Sequence, residues 1–165
     1  MKGLSILAGL SLAIATGSAH ADANSAASHE RTANKAEGYV PGLGEIMSLQ
    51  QMRHAKLWLA GSGGNWALAD YELDELREGF EDASKLHPTY ERVPVAALIE
   101  NLTPAPLEAI SKAIKGRSAA GFARSFDSLT VACNTCHQAA NHGFIRITRP
   151  SGSAFSNQNF KPGSK

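Results

Sequence analysis

One stretch constrains this chain more than any other: Cys133-Asn134-Thr135-Cys136-His137. Cys-x-x-Cys-His is the attachment signature of a c-type haem, and the spacing has a chemical reason. Two thiols three positions apart on a helix reach the two vinyl groups of one porphyrin and become thioethers. The next residue then lies under the iron as its proximal ligand. The chain has only these two cysteines, so no other thiol competes for the role. Three plainer readings compete with it: a local disulfide, a redox dithiol and half of a zinc site. A redox dithiol usually sits in a βαβ context, which the sequence lacks. A tetrahedral zinc site would need two further ligands from a chain with few candidates. We therefore expect one haem c per chain, held covalently by Cys133 and Cys136 and ligated by His137.

The start of the chain reads as an export signal. Lys2 supplies positive charge, residues 4–15 form a short apolar run, and Ala19-His20-Ala21 offers a small-x-small cleavage site. The expected division is a signal peptide over 1–21, a polar leader over 22–40, a cytochrome domain over 41–143 and an irregular tail over 144–165. Export to the periplasm suits the cysteine motif, because covalent attachment stops the cofactor escaping into an open, dilute compartment that also tolerates oxidised sulfur. Removing Lys2 with the signal leaves 15 basic and 15 acidic residues. That balance does not suggest a nucleic-acid partner, and no second long apolar run suggests a membrane span in the mature chain.

Between 41 and 143 the apolar residues recur at helical spacing. Leu43, Ile46, Met47, Gln50, His54, Leu57 and Trp58 share one face of a first helix over about 43–60, which the glycines at 61–64 should end. Asn65 is placed to cap a second helix, along which Trp66, Ala69, Leu73, Leu76, Phe80, Ala83 and His87 alternate by three and four, up to Pro88. The other faces of this helix carry Asp70, Glu72, Asp74, Glu75, Glu78, Glu81 and Asp82, which read as a solvated acidic surface. A long connection over 88–102 has room for a helical turn at its end. Thr103-Pro104 then opens a third helix, stopped by Gly116. Ser118 caps a fourth, where Phe122, Phe126, Leu129, Cys133, Cys136 and Ala140 form one seam and Gly143 is the expected stop. The expected fold is all-α: an antiparallel four-helix bundle with the haem on its C-terminal helix. The tail is irregular, but its five large apolar residues (Phe144, Ile145, Ile147, Phe155, Phe160) should wrap it back over the bundle or an exposed haem edge.

Four amphipathic helices with Cys-x-x-Cys-His on the last resemble the cytochrome c′ family of four-helix-bundle cytochromes. The likeness covers about residues 43 to 143. It rests on Cys133, Cys136 and His137, with weaker support from Ile46-Met47 on the first helix and Lys85-Leu86-His87-Pro88 at the end of the second. In the low-spin branch of that family a first-helix methionine following an aliphatic residue binds the second face of the iron, and Met47 matches that position. The five-coordinate branch has an apolar residue there and binds nitric oxide or carbon monoxide. The chain departs from the family in its long tail and in Gln50, Gln51 and His54. By analogy, such bundles often pair through their first two helices, which leaves a homodimer open.

Met47, Met52, His54 and His142 are the candidates for a sixth ligand. Met52 lies across the first helix from Met47, while His54 shares Met47's face two turns along. For His54 we favour a hydrogen-bonded helix histidine or a propionate partner, and His142 should stay on the proximal side. Arg53, Arg124, Arg146 and Arg149 are available to haem propionates, and no spacing rule singles one out. The leading expectation is a monohaem cytochrome carrying one electron between redox partners that the sequence does not identify, with no enzyme activity of its own. The alternatives are a five-coordinate gas-binding protein and a peroxidase-like enzyme using His54 as distal base.

Overall fold

Why the helices begin and end where they do is visible in their caps. The computed structural model describes residues 38–163. The signal peptide and nearly all of the leader lie outside the described residues. From Val40 on, the chain forms one unit with five helices: α1 Leu43–Ser62, α2 Trp66–Leu86, α3 Val95–Leu102, α4 Pro104–Lys115 and α5 Ala119–Ala139. Among the described residues there is no strand, only an isolated bridge between Tyr90 and Val93. The fold is all-α. None of these helices is long and apolar enough to cross a membrane.

Asn65 caps α2, its side chain accepting from the Leu68 N–H at 3.2 Å, and Ser118 caps α5 by accepting from Gly121 N–H. α1 closes with Gly64 in the left-handed region (φ +75°), Gly64 N–H bonding Gly61 O and Asn65 N–H bonding Ala60 O. This pairing ends a helix without orphan carbonyls.

Three expectations are corrected. Thr103 stands at the N-cap of α4 with Pro104 first in the helix, as expected, but its hydroxyl does not cap; Oγ1 donates back to Ile99 O at 2.9 Å, closing the end of α3. α5 does not run to Gly143 but ends at Ala139. Asn141, in the left-handed region (φ +59°), supplies the turn, with its N–H on Gln138 O and the His142 N–H on His137 O. Asparagine tolerates that conformation, so a glycine was not needed. Residues 95–102 form two full helical turns rather than one.

Packing follows the apolar spacing. α1 packs chiefly along α2, and α4 along α5; α2 with α4 and α1 with α5 join the pairs, while α3 bridges α2, α4 and α5. The larger apolar cluster gathers Leu57, Leu73, Leu76, Ile110, Phe122, Phe126 and Leu129, all essentially excluded from water. A smaller one, Ile46, Ala83, Val95 and Ile99, joins the first half of α1 to the end of α2 and to α3. Each fully buried side chain of this size contributes about 1.5–3 kcal/mol relative to exposure. α1 also approaches α2 through polar groups. Gln50 Nε2 donates to Leu76 O at 2.8 Å, and Gly79 leaves room for Gln50 and Arg53, because a Cβ there would collide with both. Glu72, read from sequence as part of a solvated face, is buried, and burial raises its carboxyl above the usual range.

The tail is tied down along its length. Arg149 makes a bidentate pair with Asp127 of α5 and stacks 4.2 Å over the Trp58 ring of α1. Lys56 lies over the Phe155 ring, Phe160 packs on the larger cluster, and Lys161 O accepts from Asn65 Nδ2.

Candidate haem site

The two apolar clusters leave a cavity between them, and the sequence-predicted site residues converge on it. α5 contributes Cys133, Cys136 and His137; α1 contributes Met47, Gln50 and His54. The wall is completed by Phe80 of α2, Leu98 and Ile99 of α3, and Tyr90 and Val93 of the connection that precedes α3. Tyr90 and Val93 are brought side by side by a tight turn in which both backbone N–H groups reach the other's carbonyl (3.0 and 2.8 Å). Its central residues, Glu91 and Arg92, both take left-handed conformations (φ +47° and +71°) that side chains other than glycine, asparagine and aspartate rarely adopt.

Both cysteines are free thiols. Burial pushes the Cys133 thiol up to about 11, with Cys136 beside it adding to the effect, and burial raises Cys136 as well. Reactive and redox-active cysteines have lowered values, so this environment is the opposite of what a thiol-exchange centre requires. Among the described residues there is no group of three or more His, Cys, Asp or Glu side chains that could hold a metal ion on its own.

His137 lines the cavity with one ring nitrogen engaged. Its Nδ1 lies 2.8 Å from Ile145 O. A carbonyl only accepts, so Nδ1 carries the proton and Nε2 of the neutral ring keeps its lone pair. This is the second contact that metal-ligating histidines almost always make. His142 makes a similar bond from Nδ1 to Ala140 O, and its ring stands beside Tyr90 and Phe144 at the edge of the cavity.

His54 is engaged differently. It is buried, its ring 4.3 Å from Phe126, and its Nε2 lies 2.9 Å from Thr130 Oγ1. Thr130 Oγ1 also lies 3.0 Å from Phe126 O, so its hydroxyl bridges the His54 ring and the α5 backbone. Burial lowers its pKa to about 4, which keeps the ring neutral. Met47 is half-buried, packs beside Ile46 in the smaller cluster and lines the cavity, whereas Met52 does not line it.

The donor set therefore suits a covalently held haem: two thiols a helical turn apart, an imidazole with a free Nε2, and a thioether on another helix lining the same apolar cavity. The enclosed space is about 180 Å³, below the roughly 300–1,000 Å³ of sites that enclose a whole ligand. A group of haem size fits only with an edge at the exposed rim, where Tyr90 and Ile145 lie. Of the four arginines, Arg53 is paired with Glu75 at 2.8 Å and Arg149 with Asp127. Among the described residues, Arg124 and Arg146 make no ion pair.

Sequence reasoning missed Thr130, Asn134 and the carbonyl of Ile145. Threonine at an exposed-looking helix position and asparagine inside the motif carry no chemical signal, and a carbonyl has no side chain to read. Compared with protein-family models, curated proteins and solved structures, the chain matches none of them.

Proposed function

We propose that this chain is an exported, periplasmic monohaem c-type cytochrome that carries one electron between protein partners. In this reading α1, α2, α4 and α5 form an antiparallel four-helix bundle, the three-residue links 63–65 and 116–118 turning neighbouring helices back on each other. Cys133 and Cys136 hold the haem through thioethers, His137 Nε2 is the proximal ligand, and Met47 is the candidate on the opposite side.

The observation that carries the proposal is the His137 ring, its Nδ1–H committed to Ile145 O and its Nε2 left as a lone pair beside two half-buried thiols. When bound, the haem supplies an iron that gains and loses one electron, with no bond made or broken in the substrate. The residues of the chain do the rest. The apolar wall excludes water and lowers the local dielectric, the Ile145 bond holds the His137 ring and raises its basicity, and the Met47 thioether, were it to hold the iron, would raise the potential. His54, held by Thr130, has no part in the carrier reading.

Absorption spectra of the oxidised and reduced protein, with and without carbon monoxide, test this. A low-spin spectrum unchanged by carbon monoxide is expected. A high-spin spectrum with ready carbon monoxide binding would favour the five-coordinate gas-binding alternative.

A further inference from the structure

We infer that Asn134, the first variable residue of the Cys-x-x-Cys-His motif, is a positioning residue that tunes His137 through the chain beyond the helix. The inference rests on the haem reading above. The carboxamide of Asn134 grips one residue of the tail at two points: Nδ2 donates to Ile147 O at 2.9 Å, and Oδ1 accepts from the Ile147 N–H at 2.8 Å. A side-chain amide paired with both backbone groups of one residue fixes that residue's place and orientation together. Two residues earlier is Ile145, whose carbonyl accepts the His137 Nδ1 proton.

The segment between is short and held at both ends. Ile145 N–H bonds His142 O, and His142 N–H bonds His137 O, so the turn after α5 anchors one side. Asn134 anchors the other, with only Arg146 between clamp and acceptor. Asn134 and His137 stand three apart on α5 and so share a side of the helix. One face of one helical turn therefore carries both the ligand and the group that holds its acceptor in place. The remaining ties of the tail, through Arg149 to Asp127 and Trp58, lie further along and do not touch this register.

The electronic consequence has a sign. A hydrogen bond from Nδ1 to a carbonyl raises the basicity of Nε2. A more basic axial ligand stabilises ferric over ferrous iron and lowers the potential. Loosening the clamp weakens that bond and raises the potential.

The test uses the haem-loaded full chain. Two quantities are measured: the midpoint potential by spectroelectrochemistry, and the exchange rate of the His137 Nδ1 proton by NMR of the reduced protein. Asn134→Ala should shift the ferric-to-ferrous preference about tenfold, a rise of about 59 mV for one electron, and speed Nδ1–H exchange at least about tenfold. Asp127→Ala, which frees the tail beyond the clamp, should leave both unchanged. Should Asn134→Ala fail to fold, Asn134→Asp keeps the acceptor for Ile147 N–H, loses the donor, and should move both quantities in the same direction. In the wild type the Nδ1 proton must itself be protected. Wild-type values in a folded Asn134 variant, an equal shift in Asp127→Ala, or an unprotected wild-type proton would each overturn the inference while leaving covalent haem in place. Wild-type chain recovered without covalent haem would overturn the haem reading, and the inference with it.

Discussion

His54 Nε2 and Thr130 Oγ1 lie 2.9 Å apart, a hydrogen bond that ties α1 to α5 beside the cavity. Thr130 Oγ1 also lies 3.0 Å from Phe126 O, so the hydroxyl bridges the ring and its own helix. Using Nε2 as a ligand would require losing this bond, at about 0.5–1.5 kcal/mol for a hydrogen bond. Met47 Sδ faces no such cost.

The two candidates differ in a measurable way. Methionine ligation gives ferric haem a weak far-red absorption band that histidine ligation lacks. We expect Met47→Ala to abolish the band, lower the potential and let carbon monoxide bind the ferrous protein. His54→Ala should leave the band intact. Loss of the band in His54→Ala alone would transfer the ligand assignment to His54.

The buried ring also predicts how stability varies with acid. The folded pKa of His54 is lowered to about 4 from 6.5 by burial. Above pH 6.5 the ring is neutral in both the folded and the unfolded chain. As pH falls from 6.5 towards 4, the unfolded chain takes up a proton that the folded chain does not, so stability drops by about 3 kcal/mol over that window. Below pH 4 this contribution levels off. His54→Gln, which can still hydrogen-bond to Thr130, should show a correspondingly flatter acid limb in urea denaturation at pH 7, 5.5 and 4.5. A limb as steep as that of the wild type would mean that His54 is not the group responsible.

Attachment and export are tested together by mass and extraction. Two thioethers should keep the haem on the chain through acid–acetone extraction and denaturing electrophoresis. The intact mass should correspond to a chain starting at Asp22 plus one haem, recovered from the periplasmic fraction. Cys133→Ser combined with Cys136→Ser should give protein without haem. Extractable haem in the wild type, or a mass retaining residues 1–21, would count against the respective part of the proposal.

Gly61 gives a test of the packing itself. It is buried in α1, and a methyl group there would run into the Phe122 ring, which sits within the aromatic group formed with Trp58, Trp66 and Phe126. Alanine should gain about 1 kcal/mol in helix propensity but lose about 1–3 kcal/mol to overpacking. We expect Gly61→Ala to lower stability on balance. A higher melting temperature would show that the Phe122 ring moves aside without cost.

Much of the architecture was legible because it is local. The three-and-four alternation along α1, α2 and α5 marked Leu57, Leu73, Leu76, Phe122, Phe126 and Leu129, all of which are buried. Asn65 and Ser118 announced their helix starts, since a side-chain cap depends only on the next three residues. The motif at 133–137 was legible as a motif for the same reason, because its spacing is that of one helical turn.

What only the tertiary structure decided are the relations between residues far apart in the chain. Glu72 reads as solvated from its charged neighbours and is buried because of what packs over it. His54 and Met47 are equivalent by helical phase, and they part company only because α5 brings Thr130 to one of them. The tautomer of His137 depends on a backbone carbonyl eight residues on, presented by a tail whose path is held by Asn134 and Arg149. Periodicity states which side of a helix faces inward. It does not state which partner waits there, because that is set by the packing of whole helices and by backbone groups that every residue type shares.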